Sequence, residues 1–267
     1  MPTRCTSQAF LSLVLLVALA GCTGDGLSLA GSVKEQPGPE QPGPVTLTST
    51  ADTGFNPFND QPAAVGRREV IEKPTVADIM QPGDLPEMSL GRKDAPVTIV
   101  QYASMTCPYC RRFHAEAFPI LKRDYIDKGH VRYILRAEFP IGKQSGLATI
   151  ALRCAAPEKY FVLYEKFMAL QASWVSQEVR PDPIFKVAAQ VGMTQAQFDS
   201  CRENRAMIAA INGIKERGRT LGIIGTPNFF IDGKLVKKAI GIDEIREIVD
   251  PILAASVAAP VNKPASR

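Results

Sequence analysis

The spacing of apolar and polar residues changes several times along the chain, and each spacing predicts a different element. Val97–Tyr102 is a short apolar run rich in β-branched residues, which predicts a buried strand. Apolar residues then recur at helical spacing over residues 113–121, which predicts a helix to about Asp127. Val131–Arg136 predicts a second strand. This β-α-β order places the two strands parallel.

From residue 145 to residue 221 the pattern becomes helical, with apolar periodicity over residues 147–154, 160–170, 184–191 and 198–214. Thr194-Gln195-Ala196-Gln197 has the residues of a capping box with Thr194 as the N-cap. Strand character returns at Asn228–Ile231, and Asp232-Gly233 predicts a hairpin turn into Lys234–Val236. A final helix is predicted over residues 243–253. The pattern as a whole predicts an α/β fold interrupted by a helical block.

The N-terminus has the pattern of an export signal. Arg4 precedes an apolar run over residues 9–20, which is too short for a membrane span of about 20 residues. Leu19-Ala20-Gly21-Cys22 resembles the lipobox of bacterial lipoproteins, in which the cysteine becomes lipidated. We therefore predict a signal peptide over residues 1–21 and a lipid on Cys22. An ordinary cleavage site nearby is the alternative.

Residues 22–67 differ in composition from the rest of the chain. They are rich in Gly, Pro, Ser and Thr and include the tandem run Gln-Pro-Gly-Pro-Glu-Gln-Pro-Gly-Pro. Such a segment lacks the apolar content of a core, so we predict a disordered tether. Folded structure is expected from about Arg68, and residues 256–267 are expected to form a flexible tail.

The overall composition argues against several functions. The formal net charge is +4, and it falls to +3 when the signal and its Arg4 are removed, so no nucleic-acid partner is indicated. Gly-rich phosphate-binding loops with Lys-Ser or Lys-Thr are absent from the sequence. We expect no nucleotide, flavin or metal cofactor.

The strongest chemical motif is Cys107-Pro108-Tyr109-Cys110, which follows the first predicted strand and opens a predicted helix. A sulfur at a helix N-terminus lies near unpaired backbone N–H groups and the positive end of the helix dipole, so Cys107 is predicted to be the low-pKa nucleophile. Cys110, one turn later, is predicted to be the shielded resolving cysteine. Arg111 and Arg112 add positive charge, although their side chains can also point into solvent.

Other interpretations of the motif remain open. A zinc site with Cys107, Cys110 and His114 needs a fourth ligand, which the sequence does not offer at typical spacing. A purely structural disulfide is a further alternative, and c-type haem attachment would need histidine where Arg111 stands. We expect His114 and His130 to be surface residues.

Two more cysteines lie in the helical block. Of the six cysteines, Cys5 would leave with the signal and Cys22 would carry lipid, so four remain. Disulfides persist in an oxidising compartment, which favours a structural disulfide between Cys154 and Cys201 over two buried thiols. Trp174 and the nearby Phe residues are expected in a core or groove.

The run from Val97 to Cys110, together with Thr226-Pro227-Asn228-Phe229-Phe230-Ile231-Asp232-Gly233, resembles the DsbA-type thioredoxin-like proteins. The resemblance covers about residues 90–253. It implies a thioredoxin-like domain over residues 68–143 and 222–255, with an inserted α-helical domain over residues 144–221. It also implies that Pro227 is a cis-proline facing the disulfide, that its backbone pairs with client peptides, and that Thr226 tunes the sulfur environment.

One position departs from the family pattern. Related proteins often carry an acidic residue six places before the first cysteine, where it moves protons at the second sulfur, and Gln101 occupies that place here. The Cys110 proton would then move through water or another carboxylate.

The resemblance implies an exported thiol-disulfide oxidoreductase that introduces disulfide bonds into secreted or envelope proteins by dithiol-disulfide exchange. It would act on the periplasmic side of the cell envelope, attached to a membrane only through Cys22. Its partners would be reduced client proteins and an unidentified membrane redox partner. An exported reductase or isomerase and a lipid-anchored chaperone are the alternatives. The Pro-Tyr dipeptide between the cysteines is typical of glutaredoxins, but the export signal and the helical block argue against glutathione chemistry.

Overall fold

The computed structural model of the protein describes residues 70–258. The signal peptide, the lipid on Cys22 and the tether up to residue 67 therefore lie outside the described residues. So do residues 259–267 of the predicted tail.

A five-stranded mixed sheet forms the centre of the fold. Its spatial order is β1-β3-β2-β4-β5. The strands are β1 (Ser89–Leu90), β2 (Val97–Tyr102), β3 (Val131–Arg136), β4 (Asn228–Ile231) and β5 (Lys234–Val236). β2 and β3 are parallel with Val97 opposite Val131, and the other neighbours are antiparallel. The predicted β-α-β unit and α/β fold are confirmed.

The central strands are buried on both faces, which explains their nearly continuous apolar sequence. Successive side chains of a strand point to opposite faces. Val97 and Ile99 accordingly belong to one core cluster, whereas Val100 and Tyr102 belong to a second cluster on the other face. The predicted turn after β4 is also present, since Asp232 and Gly233 both have positive φ (47° and 81°), as a type I′ hairpin requires.

Ten α-helices surround the sheet in the described part of the chain. They are α1 (Val76–Met80), α2 (Pro108–Glu116), α3 (Phe118–Leu121), α4 (Gly142–Cys154), α5 (Tyr160–Ala169), α6 (Gln171–Trp174), α7 (Pro181–Ala188), α8 (Gln195–Arg202), α9 (Arg205–Thr220) and α10 (Ile242–Ala258). Short 3₁₀ turns cover Pro157–Lys159 and Ala189–Val191. None of the described helices is both long enough and apolar enough to cross a bilayer.

The periodicity predicts one continuous helix from the CPYC motif to about Asp127, but the structure has a broken one. It is divided into α2, α3 and a π-helical turn over Lys122–Ile126. Pro119 stands in the first turn of α3, where its missing N–H cannot continue the hydrogen-bond ladder of α2. The apolar spacing survives this break, so the sequence pattern does not reveal it.

The predicted helix over residues 198–214 is in fact two helices. Asn204 interrupts it, because its side chain accepts a hydrogen bond from the Met207 N–H at 3.0 Å and so starts α9. The predicted capping box at Thr194 is confirmed at the start of α8. At the other end of the domain, α10 extends to Ala258, past residue 255 where we expected the folded part to end.

The large aromatic side chains of the helical block share the core of the sheet, whereas Ile150, Ile208 and Ile211 form a small separate cluster between α4 and α9. Phe167, Trp174 and Phe198 are fully buried in the same apolar cluster as Val97 and Ile99 of the sheet. Within the block, a disulfide between Cys154 and Cys201 joins α4 to α8 across 47 residues of sequence. The aromatic side chains of the block therefore pack in the sheet's own core.

Removing this disulfide is expected to destabilise the protein without removing the CPYC motif. Closing a loop of this length stabilises a fold by about 4 kcal/mol in the chain-entropy estimate. The double variant Cys154→Ala/Cys201→Ala should lower the free energy of unfolding by roughly that amount. Urea denaturation followed by the fluorescence of the single tryptophan, Trp174, measures it. An unchanged transition midpoint would contradict the expectation.

Candidate active site

The CPYC motif forms the junction between β2 and α2. Cys107 is the N-cap of α2, and its sulfur accepts a hydrogen bond from the Cys110 N–H at 3.4 Å. Pro108 occupies the first helical turn, where a missing N–H costs nothing. The side chain that caps the helix is thus the predicted nucleophile.

The Thr226-Pro227 segment lies against Cys107, as the resemblance implies. The Cys107 thiol donates a hydrogen bond to the Thr226 carbonyl at 3.1 Å, although the two residues are 119 positions apart. The Thr226–Pro227 peptide bond is cis. The Thr226 hydroxyl oxygen is buried and has no hydrogen-bond partner within the described residues. It can therefore rotate its proton toward a Cys107 thiolate.

These contacts stabilise the thiolate of Cys107. They lower its pKa to about 6, the largest cause being the hydrogen bond from the Cys110 thiol, which outweighs the opposing effect of partial burial. Hydrogen bonds from Thr226 and from the backbone N–H groups of Cys110 and Tyr109 lower the pKa further. Arg111 and Arg112 are exposed, and Arg112 lies over the Tyr109 ring at 5.6 Å.

Cys110 has the opposite environment. Its side chain is fully buried, and burial, followed by the neighbouring Cys107, raises its pKa well above the usual value. One sulfur is therefore ionised and accessible near neutral pH, whereas the other is protonated and shielded. This asymmetry suits dithiol-disulfide exchange, in which one sulfur is attacked and the other is released.

Residues of the helical block hold the loop that carries Cys107. The Gln171 side-chain amide donates to the carbonyl oxygens of Met105 and Cys107, at 2.9 and 3.1 Å. Ser145 Oγ accepts from the Met105 N–H at 3.0 Å and lies 2.8 Å from Ser104 Oγ. Sequence reasoning missed these residues, because no local pattern shows which distant side chain reaches this loop.

Behind Cys110 lies a group of buried polar side chains that we call the rear cluster: Gln101, His114, Tyr133 and Tyr164. The Tyr133 hydroxyl donates to Gln101 Oε1 and lies 3.3 Å from His114 Nε2. The imidazole packs against the ring of Tyr164, with 4.6 Å between centroids. The cluster contains no carboxylate.

The expectation that His114 is a surface residue is wrong. The side chain is only 9% exposed, and burial lowers its pKa to about 3, so the imidazole is neutral at physiological pH. His114 stands four residues after Cys110 in α2, and this spacing places both side chains on the buried face of the helix. That spacing is the sequence signal that could have revealed its position. His130 is exposed, as expected.

The zinc alternative requires that Cys107, Cys110 and His114 converge on one point. Instead, His114 Nε2 faces the Tyr133 hydroxyl. Within residues 70–258, no group of three or more His, Cys, Asp or Glu side chains is arranged to hold a metal ion.

The surface beside Cys107 is partly apolar and open. Tyr109 is 53% exposed and Ile224 is 85% exposed. Both line a cavity of about 290 Å³ that also borders Thr226 and Pro227.

Replacing Cys110 should raise the pKa of Cys107, because the Cys110 thiol is its strongest stabilising donor. Absorbance of the thiolate at 240 nm, followed against pH, should give a midpoint near 6 for the reduced protein and a higher one for Cys110→Ala. Cys110→Ser keeps a hydroxyl donor, so its midpoint should rise less. Equal midpoints in all three proteins would contradict this account.

The same pKa shift makes the stability of the reduced protein depend on pH. Because the folded pKa of about 6 is lower than the unfolded value of about 8.5, the thiolate's contribution is complete above pH 8.5 and is lost as pH falls through 6. The free energy of unfolding of the reduced form should therefore decrease from pH 9 to 5 relative to Cys107→Ala, measured with urea. A pH-independent difference would exclude a stabilised thiolate.

Comparison with known proteins identifies the family to which the chain belongs. The thioredoxin family model matches residues 84–251. A putative protein-disulfide oxidoreductase of Rickettsia bellii is 30% identical over 175 residues, which are 64% of this chain and 66% of that protein, slightly less than two thirds. Disulfide bond formation protein D of Bacillus subtilis is 27% identical over 176 residues, 64% of this chain and 78% of that protein.

A solved structure agrees with these sequence matches. The crystal structure of Wolbachia pipientis alpha-DsbA1 superposes with a TM-score of 0.62 and 27% identity, covering 69% of this chain and 98% of that one. With its CPYC motif at the start of α2, the chain belongs to the thioredoxin family, among its DsbA-type proteins.

Proposed function

We propose that this protein introduces disulfide bonds into exported proteins by dithiol-disulfide exchange at Cys107 and Cys110. The observation that carries the proposal is the asymmetry of the two sulfurs, with the low-pKa sulfur facing Thr226 and Pro227. The similarity to a putative protein-disulfide oxidoreductase and to a disulfide bond formation protein supports it.

The reaction starts from the Cys107–Cys110 disulfide. A client thiolate attacks Cys107 Sγ, the bond between the two cysteines breaks, and its electron pair goes to Cys110 Sγ, which takes up a proton. A second client thiolate then attacks the client sulfur of the mixed disulfide and releases Cys107 as a thiolate. The client leaves oxidised and the protein leaves reduced. Since Cys107 is a stabilised leaving group, release of the oxidised client is favoured.

The client backbone is proposed to pair with the Thr226-Pro227 segment. Tyr109 and Ile224 expose apolar surface beside this segment, which suits an unfolded chain with apolar side chains near its cysteine. The backbone pairing gives affinity without a strict sequence requirement.

The proposed setting is the periplasmic side of the cell envelope. Residues 1–21 would direct export, and a lipid on Cys22 would hold the folded domain on a membrane through the tether. Reoxidation of Cys107 and Cys110 would require a membrane redox partner that accepts two electrons.

An exported reductase or isomerase with the same motif is the second candidate. It would keep Cys107 and Cys110 reduced and repair client disulfides. A stabilised thiolate at Cys107 favours the reduced form, and this makes the disulfide form a stronger oxidant. Because a pKa of about 6 is close to that of the reductase thioredoxin, the reduction potential distinguishes the two functions. A chaperone would not need either sulfur.

The reduction potential of the Cys107–Cys110 pair tests the proposed direction. We expect a value above about −200 mV in glutathione redox buffers, as for strongly oxidising members of the thioredoxin fold. A value at or below about −250 mV would support the reductase instead.

A client-refolding assay tests the dependence on the sulfurs. Cys107→Ser should abolish disulfide formation in a reduced client protein, whereas Cys154→Ala/Cys201→Ala, assayed where it remains folded, should retain it. Full activity of Cys107→Ser would favour the chaperone.

A further inference from the structure

The proposed exchange requires a proton to move to and from the buried sulfur of Cys110, and the exchange itself does not specify which group carries it. When the Cys107–Cys110 disulfide is opened, Cys110 leaves as a thiolate in a site that is closed to water, and its strongly raised pKa means that it must be protonated. When the disulfide forms again, the same proton must leave. Gln101, at the position where related proteins often carry an acid, has an amide side chain that cannot exchange protons in this pH range.

The hydrogen bonds of the rear cluster fix the tautomer of His114. The Tyr133 hydroxyl has one proton, which it donates to Gln101 Oε1. Its oxygen can then only accept from His114, so Nε2 carries the imidazole proton and Nδ1 carries the lone pair. Nδ1 is buried and has no hydrogen-bond partner within the described residues. His114 thus holds an unprotonated ring nitrogen inside the protein. Burial lowers its pKa to about 3, and a thiolate at Cys110 would raise this pKa, because an opposite charge favours the imidazolium.

The side chain of His114 lies between the buried face that carries Cys110 and a surface groove. His114 follows Cys110 by one helical turn on the buried face of α2. Tyr133 and Tyr164 both contact His114, and burial, followed by the charge of a thiolate at Cys110, raises their pKa values. On its other side, His114 borders a groove of about 350 Å³ between α2 and α5.

Buried carboxylates do not offer an equivalent route. Glu138 is fully buried, and its Oε2 has no hydrogen-bond partner within the described residues. Its Oε1 is held by Arg153 and by the Tyr160 hydroxyl at 3.0 Å, and both of these partners lie outside the rear cluster. The carboxylate that borders the groove is Glu165, on its rim with Arg111 and Lys122. The titratable groups around His114 are therefore Cys110, Tyr133 and Tyr164 inside, and these three charged residues at the surface.

We propose that His114 carries the proton of Cys110, taking the place of the acid that Gln101 replaces. The inference rests on the proposed roles of Cys107 and Cys110. In the oxidising direction, a proton from the groove reaches His114 Nδ1 and passes from there to the Cys110 thiolate. In the reverse direction, the Cys110 thiol gives its proton to Nδ1 as its sulfur attacks the mixed disulfide. Tyr133 and Gln101 hold the imidazole in the tautomer that leaves Nδ1 free.

The test separates the two sulfurs by reacting the reduced protein with 5,5′-dithiobis(2-nitrobenzoic acid). Cys107 attacks the reagent and releases the first thionitrobenzoate. Cys110 then attacks the mixed disulfide and releases the second, with its proton going to His114. The first phase reports on Cys107, and the second phase reports on the step that His114 serves.

We expect His114→Ala to leave the first phase unchanged and to slow the second at least about tenfold, as for loss of a general acid-base group. Imidazole added to the buffer should restore the second phase, because the groove leads to the space left by the side chain. N-methylacetamide, similar in size but not basic, should not restore it. Tyr133→Phe removes the hydroxyl that fixes the tautomer of His114, and it should slow the second phase less than His114→Ala does. His130→Ala is the matched control and should behave as the unchanged protein.

The results that would contradict the role of His114 differ from those that would contradict the role of Cys107. The inference would be overturned if the second phase of His114→Ala had a rate within twofold of the wild-type rate. It would also be overturned if that phase were slow and imidazole did not restore it. Loss of the first phase in the unchanged protein would instead overturn the proposed role of Cys107. Because loss of folding would also slow exchange, the thermal midpoint of each variant is measured, and His114→Gln replaces His114→Ala if the latter unfolds. In that variant the second phase must again be slow while the first is normal.

Discussion

The hydrogen bond between the Cys107 sulfur and the first turn of α2 is the interaction on which the rest of the site depends. A helix N-terminus needs an acceptor for its free N–H groups, and in this chain the acceptor is the reactive atom itself. The thiolate is therefore stabilised by the same contacts that start the helix. Forming a disulfide or a mixed disulfide removes the negative charge from this position, so the chemical state of Cys107 and the capping of α2 change together.

The burial of Cys110 is the second constraint. A protonated thiol tolerates an apolar environment, but a thiolate does not, and the surroundings of Cys110 are a packed core with four neutral polar side chains behind it. This arrangement keeps the second sulfur neutral in the resting reduced protein and makes it a strong donor to Cys107. Both cysteines belong to the same short motif, so the difference between their pKa values follows from how deeply each sulfur is buried.

Much of the fold could be predicted because it is encoded locally. The β-branched runs give β2 and β3 with their observed bounds, and Asp232-Gly233 gives the hairpin turn. The position of Pro227 opposite Cys107 came from family resemblance, since no local pattern indicates it. The contacts of Gln171 could not be foreseen, because they join residues 64 and 66 positions apart. His114 was misjudged because a polar residue after two arginines suggests a surface, whereas its helical spacing from Cys110 decides its burial.

The two hydrogen bonds from Gln171 also determine the direction from which a client can approach. They fasten the helical block to the backbone on one side of Cys107, and the fully buried Trp174 lies in the same short helix. The helical block is held rigidly on this side of Cys107, because moving α6 would break both hydrogen bonds and expose Trp174. Ile224 and Pro227 instead line the open cavity beside Tyr109. In the proposed reaction, the client thiolate would therefore reach Cys107 from the side of this cavity and away from α6.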